Sequence, residues 1–265
     1  MLELYKNKQM ESKMLSKLNM KLNVEGQDKL NYNMSSVMQG ILMEKLPIEY
    51  VEKMHIDGLH PYQQFLQING EECRWNIHTA TKEAKDNIIQ KIMCEDNFYI
   101  EKKDIRLKVI QRNFSEMTYD QLLEQFYFNN GSRYLTLHFE TATSFKSGGG
   151  YIFYPSIRHI FQSIINKHNE FNKETEISGE NLLEELEQHI EIIQYNLRSI
   201  FFYMEHIKIP AFIGNIRIKI SGSQPIVNLV NFLLAYSEFS GIGIKCGMGM
   251  GACRVEWKHY SEVKR

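Results

Sequence analysis

Gly241-Ile-Gly-Ile-Lys-Cys-Gly-Met-Gly-Met-Gly251 puts five glycines into eleven residues. In a strand each glycine costs about 0.5–1 kcal/mol relative to alanine. Such a run needs a return: unusual dihedrals, or backbone brought very close to other backbone. It is not a dinucleotide-binding loop, because Cys246 stands where the third glycine of Gly-x-Gly-x-x-Gly belongs and only 14 residues follow Gly251. No Gly-Lys-Ser/Thr is present, which excludes a P-loop. What remains is a glycine-rich loop or strand beside an apolar helix over residues 225–236. Exposed amides there could hold phosphates, and missing side chains could let a nucleic-acid strand lie flat. A kinked strand packed tightly against the helix fits the same residues.

Outward from this segment, the second half of the chain reads strand, helix, two long strands, helix, strand. Leu135, Leu137 and Phe139 alternate in a strand over residues 134–141. Gly148-Gly149-Gly150 and an aromatic run lead into a helix over 155–168, with Ile157, Ile160, Phe161, Ile164 and Ile165 along one side. Residues 171–180 form a polar connection. Residues 190–207 and 212–220 read as long strands, and 242–257 as a final glycine-interrupted strand. The first half repeats the order. A strand spans 14–24, and Ser35 and Ser36 are candidate N-caps for a helix over 37–46. Pro47 opens a short helix ending near Asp57-Gly58. A hairpin turns at Asn69-Gly70 between strands 62–68 and 73–79. An amphipathic helix over 82–93 and a strand over 98–110 complete the unit. Two such units predict an α+β chain of tandem ferredoxin-like folds, residues 1–120 and 131–265, joined between about residues 113 and 133.

Composition narrows the function classes. The chain has 265 residues, 43% hydrophobic and 24% charged, enough for a real core and too few charges for disorder. Neither a basic-then-apolar leader nor an apolar run near the roughly 20 residues of a membrane span is present, so a cytoplasmic protein without membrane association is expected. Cys73, Cys94, Cys246 and Cys253 have no zinc or disulfide spacing. His-Glu-x-x-His, a clustered Asp pair and Gly-x-Ser-x-Gly are all missing, so no metal, no cofactor and no serine nucleophile is expected. Net charge is −1, but its distribution is uneven. Seven glutamates and no Lys or Arg fall in 174–191, whereas 217–265 carries seven basic residues against three acidic ones. Such segregation allows one basic face on a neutral molecule.

Taken together, residues 235–252 around the glycine run resemble the C-terminal signature of the CRISPR-associated repeat-processing endoribonuclease family: a helix end, Gly-apolar-Gly, a lysine-containing spacer and Gly-apolar-Gly. Phe139-Glu-Thr-Ala-Thr-Ser-Phe145, followed by a glycine turn, Phe153-Tyr-Pro155 and an apolar helix, is similar to the family's second domain. Gln39-Gly40-Ile-Leu and Tyr50-Val-Glu-Lys-Met-His55 resemble its first helix and the segment after it, so the likeness covers most of the chain beyond Lys21. The resemblance implies an RNA-recognition-motif-like pair of domains that binds CRISPR repeat RNA and cuts it without a metal. The ribose 2′-hydroxyl attacks the phosphodiester, leaving a 2′,3′-cyclic phosphate and a 5′-hydroxyl. A non-catalytic crRNA-binding subunit of an effector complex is the alternative, and other effector subunits or a second copy of the chain are further partners.

Histidine suits both proton transfers, since its pKa lies near working pH. His55 and His60 flank a turn in His55-Ile-Asp-Gly-Leu-His60-Pro61. His55 falls in the last turn of a helix, where a favourable cap is its plain alternative role; His60 precedes Pro61 and is biased to extended backbone. In the family a histidine after the first helical region commonly serves in proton transfer, and His55 matches that position. A basic residue a few places later assists in some members, and His60 stands there. The tyrosine that some relatives carry after Gln-Gly is Met43 here. The remaining histidines, His78, His138, His159, His168, His189, His206 and His259, read as structural or surface groups. Along Asn215-Ile-Arg-Ile-Lys-Ile220 the isoleucines point one way while Arg217 and Lys219 point the other. With Gly241, Gly243, Lys245, Gly247, Gly249 and Gly251 these are the candidate RNA-binding residues. Arg133, Lys146 and Arg158 are further cations, and the acidic stretch is expected to face away from RNA.

Overall fold

The computed structural model describes residues 13–26, 30–204 and 207–257; the side chains of residues 55–57 and 102 lie outside the description, as do His206 and His259. Two antiparallel sheets organise the chain. The first contains β1 (Met14–Glu25), β2 (Tyr62–Asn69), β3 (Glu72–Thr79), β4 (Asn97–Ile100) and β5 (Ile105–Thr118), in the order β2-β3-β1-β5-β4. The second contains β6 (Tyr134–Thr143), β9 (Ile190–Met204), β10 (Ile207–Ile220) and β11 (Cys253–Trp257), in the order β11-β6-β10-β9. In each, the first strand along the chain lies between the third and the last. That is the split β-α-β arrangement of a ferredoxin-like unit, so the tandem expectation is borne out. A small hairpin, β7 (Phe145–Ser147) and β8 (Gly150–Ile152), turns on the glycine triplet.

Apolar faces explain how helices settle on each sheet. In the first unit α1 (Ser35–Lys45) and α2 (Ile48–Asp57) bury Met38, Ile41, Leu42, Tyr50 and Met54 against Leu18, Met20, Trp75 and Ile77. A continuous helical segment, Lys82–Ala84, π-helical Lys85–Ile89 and Gln90–Ile92, adds Ile88, Ile89 and Ile92. The connecting helix α3 (Tyr119–Phe126) starts from a capping box at Thr118 and Gln121, and buries Tyr119 and Leu122 in the core of the second unit. There α4 (Ile157–Phe171), α5 (Leu182–His189) and α6 (Gln224–Ser240) cover Leu135, Leu137, Phe139, Ile216 and Ile218.

Three local expectations are corrected. Ser35 and Ser36 do not cap α1; they lie inside it, with their hydroxyls donating back to Tyr32 O and Asn33 O, after a 3-10 turn whose own cap is Asn31. The strand expected over 98–110 is broken by a 3-10 turn at Glu101–Lys103 with Asp104 in the left-handed region, which folds β4 back on β5. The strand expected over 242–257 is confined to Cys253–Trp257; what precedes it is an irregular loop containing the 3-10 turn Cys246–Met248. Among the described residues no helix is long and apolar enough to cross a membrane.

Candidate active site

The glycine loop leaves the C-terminus of α6 at Gly241 and enters β11 beyond Gly251, and it faces inward, onto the first unit. A Cβ on Gly247 would stand 3.0 Å from the Tyr62 hydroxyl, and one on Gly249 2.1 Å from Ser35 Cβ. The approach to the start of α1 therefore demands glycine at 249, where φ is also +103°, and the Tyr62 side chain leaves little room for a Cβ at 247. Gln64, wholly buried on β2, fastens the contact: its Nε2 donates to Gly247 O at 2.9 Å and to Ser35 O at 2.7 Å, while Trp75 Nε1 donates to its Oε1.

Most of the loop amides are engaged within the protein. Gly241 N donates to Ser237 O, Gly243 N to Ser163 Oγ, Gly249 N to Cys246 O and Gly251 N to Ala142 O. The loop is thus chiefly a packing device at the junction of the two units, the tight-packing alternative of the sequence reading. Lys245 is the exception: it is exposed, in the left-handed region at φ 58°, and its carbonyl accepts from Met248 and Met250 amides.

The two candidate histidines belong to the first unit, His55 at the end of α2 and His60 just before β2. His55 sits in the last turn of α2, and its side chain is outside the described residues. Gly58, at φ 71°, ends the helix and sends the chain back toward β2. His60 is half-buried and meets Tyr62 edge-on, with ring centroids 5.8 Å apart. Tyr62 in turn lies under Gly247, and its hydroxyl accepts from Gln39 Nε2 at 3.4 Å. Burial pushes the Tyr62 phenol up to about 12, with the Gln39 bond opposing. At neutral pH Tyr62 is therefore a protonated hydroxyl and no general base.

A groove of about 1340 Å³ adjoins the junction, walled by α1, β4 and β5, by Met204 and Ile207 of β9 and β10, and by Met248. Gln39, next to Tyr62, is part of its lining, and so are Lys45, Arg106 and Lys108. Arg106 and Lys108 are exposed on β5, alternating with buried Ile105, Leu107 and Val109. That pattern is the one already read in β10, and it was equally available in the sequence. Lys45 pairs with Glu95 at 3.1 Å.

Arg217 and Lys219 project from the face of β10 opposite its buried isoleucines, but they are remote from the loop. Phe212, which pairs with Thr143 beside the loop, is five and seven residues away along the strand, so about 16 and 23 Å separate them. Arg217 lies 5.8 Å over the Tyr134 ring. Arg133 donates to Ile220 O and Gly222 O, and Arg158 pairs with Glu184 and Glu187 of the acidic stretch. Lys146 is exposed on β7. No group of three His, Cys, Asp or Glu among the described residues is placed to hold a metal ion. Tyr62 and Gln64 escaped the sequence reading, and Gln39 entered it only as part of the family likeness, because their importance comes from what lands on them.

A family model described as CRISPR-associated endoribonuclease Cas6 matches residues 137–253. A CRISPR-associated endoribonuclease Cas6 from Streptococcus thermophilus is 32% identical over 218 residues, covering 82% of this chain and 89% of the relative. One from Mycobacterium tuberculosis is 30% identical over 226 residues, 83% of this chain and 70% of the relative. Among solved structures, a Cas6 product complex superposes with a TM-score of 0.77 at 17% identity, over 92% of this chain and 99% of that one. Thermus thermophilus Cas6 gives 0.73 at 17% identity over the same shares. The structural likeness speaks for the fold, and the sequence identity over four-fifths of the chain speaks for descent: this protein belongs to the CRISPR-associated endoribonuclease Cas6 family.

Proposed function

We propose that the chain cuts CRISPR repeat RNA by a metal-independent transesterification at the junction of its two units. The RNA strand enters along the groove, where Arg106 and Lys108 offer cations to its phosphates and Lys245 adds one from the loop. One of His55 and His60 takes the proton from the ribose 2′-hydroxyl as that oxygen attacks the adjacent phosphorus. The other gives a proton to the departing 5′-oxygen, so the P–O5′ bond breaks. A 2′,3′-cyclic phosphate and a 5′-hydroxyl result. The observation that carries this reading is the contact of His60 with Tyr62, whose ring lies against Gly247 of the glycine loop and whose hydroxyl accepts from Gln39 in the lining of a groove carrying cations. The units are taken as residues 1–120 and 131–265, and the cytoplasm as the place of action because the substrate is a transcript. Arg217 and Lys219 serve, on this reading, as a second contact for RNA that extends across the second sheet.

Repeat RNA incubated with the protein and excess EDTA should be cut as fast as without it. RNA with a single 2′-deoxy substitution at the cut should bind and stay whole. Loss of activity on chelation, or scission of the deoxy substrate, would sink the mechanism.

A further inference from the structure

Lys167, on α4, is 5% exposed. Lysine is almost never buried so fully unless it is paired, because an ammonium taken out of water loses its hydration. Its three protons have three acceptors: Ser240 O at 3.2 Å, Gly241 O at 3.0 Å and Cys246 Sγ at 3.0 Å. The two carbonyls close the 17-residue helix α6, whose C-terminus carries a partial negative charge that suits a cation. The sulfur belongs to the first residue of the loop's 3-10 turn. One ammonium thus ties the loop's beginning to its middle.

From Cys246 the contacts run to His60. Gly247, the next residue, is held by Gln64 Nε2 on its carbonyl and lies against the Tyr62 ring. Tyr62 then meets His60 edge-on. Lys167 and Gln64 therefore grip the same turn from opposite sides, one from each unit of the chain, and the turn forms the roof over Tyr62. We propose that Lys167 is a positioning residue for RNA cleavage, holding the glycine loop in register with His60 and Tyr62 without touching the substrate. The inference rests on the activity proposed above.

The test is single-turnover cleavage of repeat RNA by Lys167→Met, which fills the same volume without the charge. Affinity is measured in parallel with the 2′-deoxy RNA. Misplacement by about 1 Å can cost on the order of 100-fold in rate, so a fall of roughly 10- to 100-fold is expected, with affinity and the shape of the pH–rate profile unchanged. A folded variant that cuts at the wild-type rate overturns the proposal, as does one that loses affinity in step with rate. Should Lys167→Met fail to fold, Cys246→Ala decides: it deletes the sulfur acceptor and leaves the carbonyls of α6 capped. A smaller fall in rate at constant affinity is expected there, and a wild-type rate overturns the proposal. Wild-type protein that leaves the RNA uncut would instead remove the activity itself.

Discussion

At the scale of single residues, His60 and Gly249 make opposite kinds of demand. His60→Ala and His55→Ala should each slow cleavage by about 10²–10⁴, the usual worth of one general acid or base, while RNA binding stays close to wild type. Single-turnover rates check this, and two variants that cut normally would move the chemistry elsewhere. Gly249 is different because its φ is +103° and its missing Cβ is the space that Ser35 occupies. Gly249→Ala combines backbone strain with overpacking and should cost at least about 2 kcal/mol in denaturant unfolding. His60 was singled out by the family likeness, since it stands a few places after His55, where some members carry an assisting basic residue. Lys167 was passed over, although it stands seven residues after Ile160 and three after Ile164 on the apolar side of its helix, where a cation is out of place.

At the scale of elements, β5 and β10 carry the same alternation, apolar inward and cations outward, yet they sit differently. Arg106 and Lys108 line the groove beside Tyr62, whereas Arg217 and Lys219 lie on the far part of the second sheet. Each phosphate contact contributes close to one unit to the salt slope of binding, so Arg106→Ala should lower that slope by about one and weaken affinity across sequences. Binding isotherms over a salt series measure it. A slope unchanged by Arg106→Ala but lowered by Arg217→Ala would put the RNA on the second sheet alone. Strand identities followed from period-2 patterns, and the hairpin from Asn69-Gly70. The final strand was read as starting at 242 rather than 253, because period alone cannot separate an extended segment from a glycine loop folded on its neighbours.

For the whole molecule, the decisive feature is how the two units meet. Glu238, near the end of α6, gathers the contact: Lys17 Nζ lies 2.6 Å from its carboxylate, Val255 N donates to it at 2.7 Å, and its backbone carbonyl accepts from Gln63 Nε2 and from His78 Nδ1. His78 is buried there, and desolvation, with Lys17 nearby adding to it, pushes its pKa from 6.5 down to about 3, against the opposing bond to Glu238 O. A neutral histidine in the folded protein takes up its proton on unfolding below pH 6.5. The stability it contributes is complete above that pH and drains away as pH falls toward 3. The unfolding free energy should thus lose up to about 1.4 kcal/mol per pH unit through this group below pH 6. His78→Gln should remove that slope, which thermal or denaturant melts at pH 5 and pH 7 would reveal.

The amino-acid sequence by itself determined the alternation of strands and helices, the doubling of the unit, the family likeness and the two histidines worth testing. All of these depend on neighbours along the chain: turn glycines, period-2 and period-3.6 apolar spacing, and a compact glycine run. Tertiary structure alone decided which surfaces those elements share. It turned the glycine loop inward onto Tyr62 and Ser35, engaged most of its amides, brought Lys167 under it, and left Arg217 and Lys219 remote from it. Contacts between residues more than a hundred positions apart follow from the docking of two cores, and no local pattern encodes that geometry.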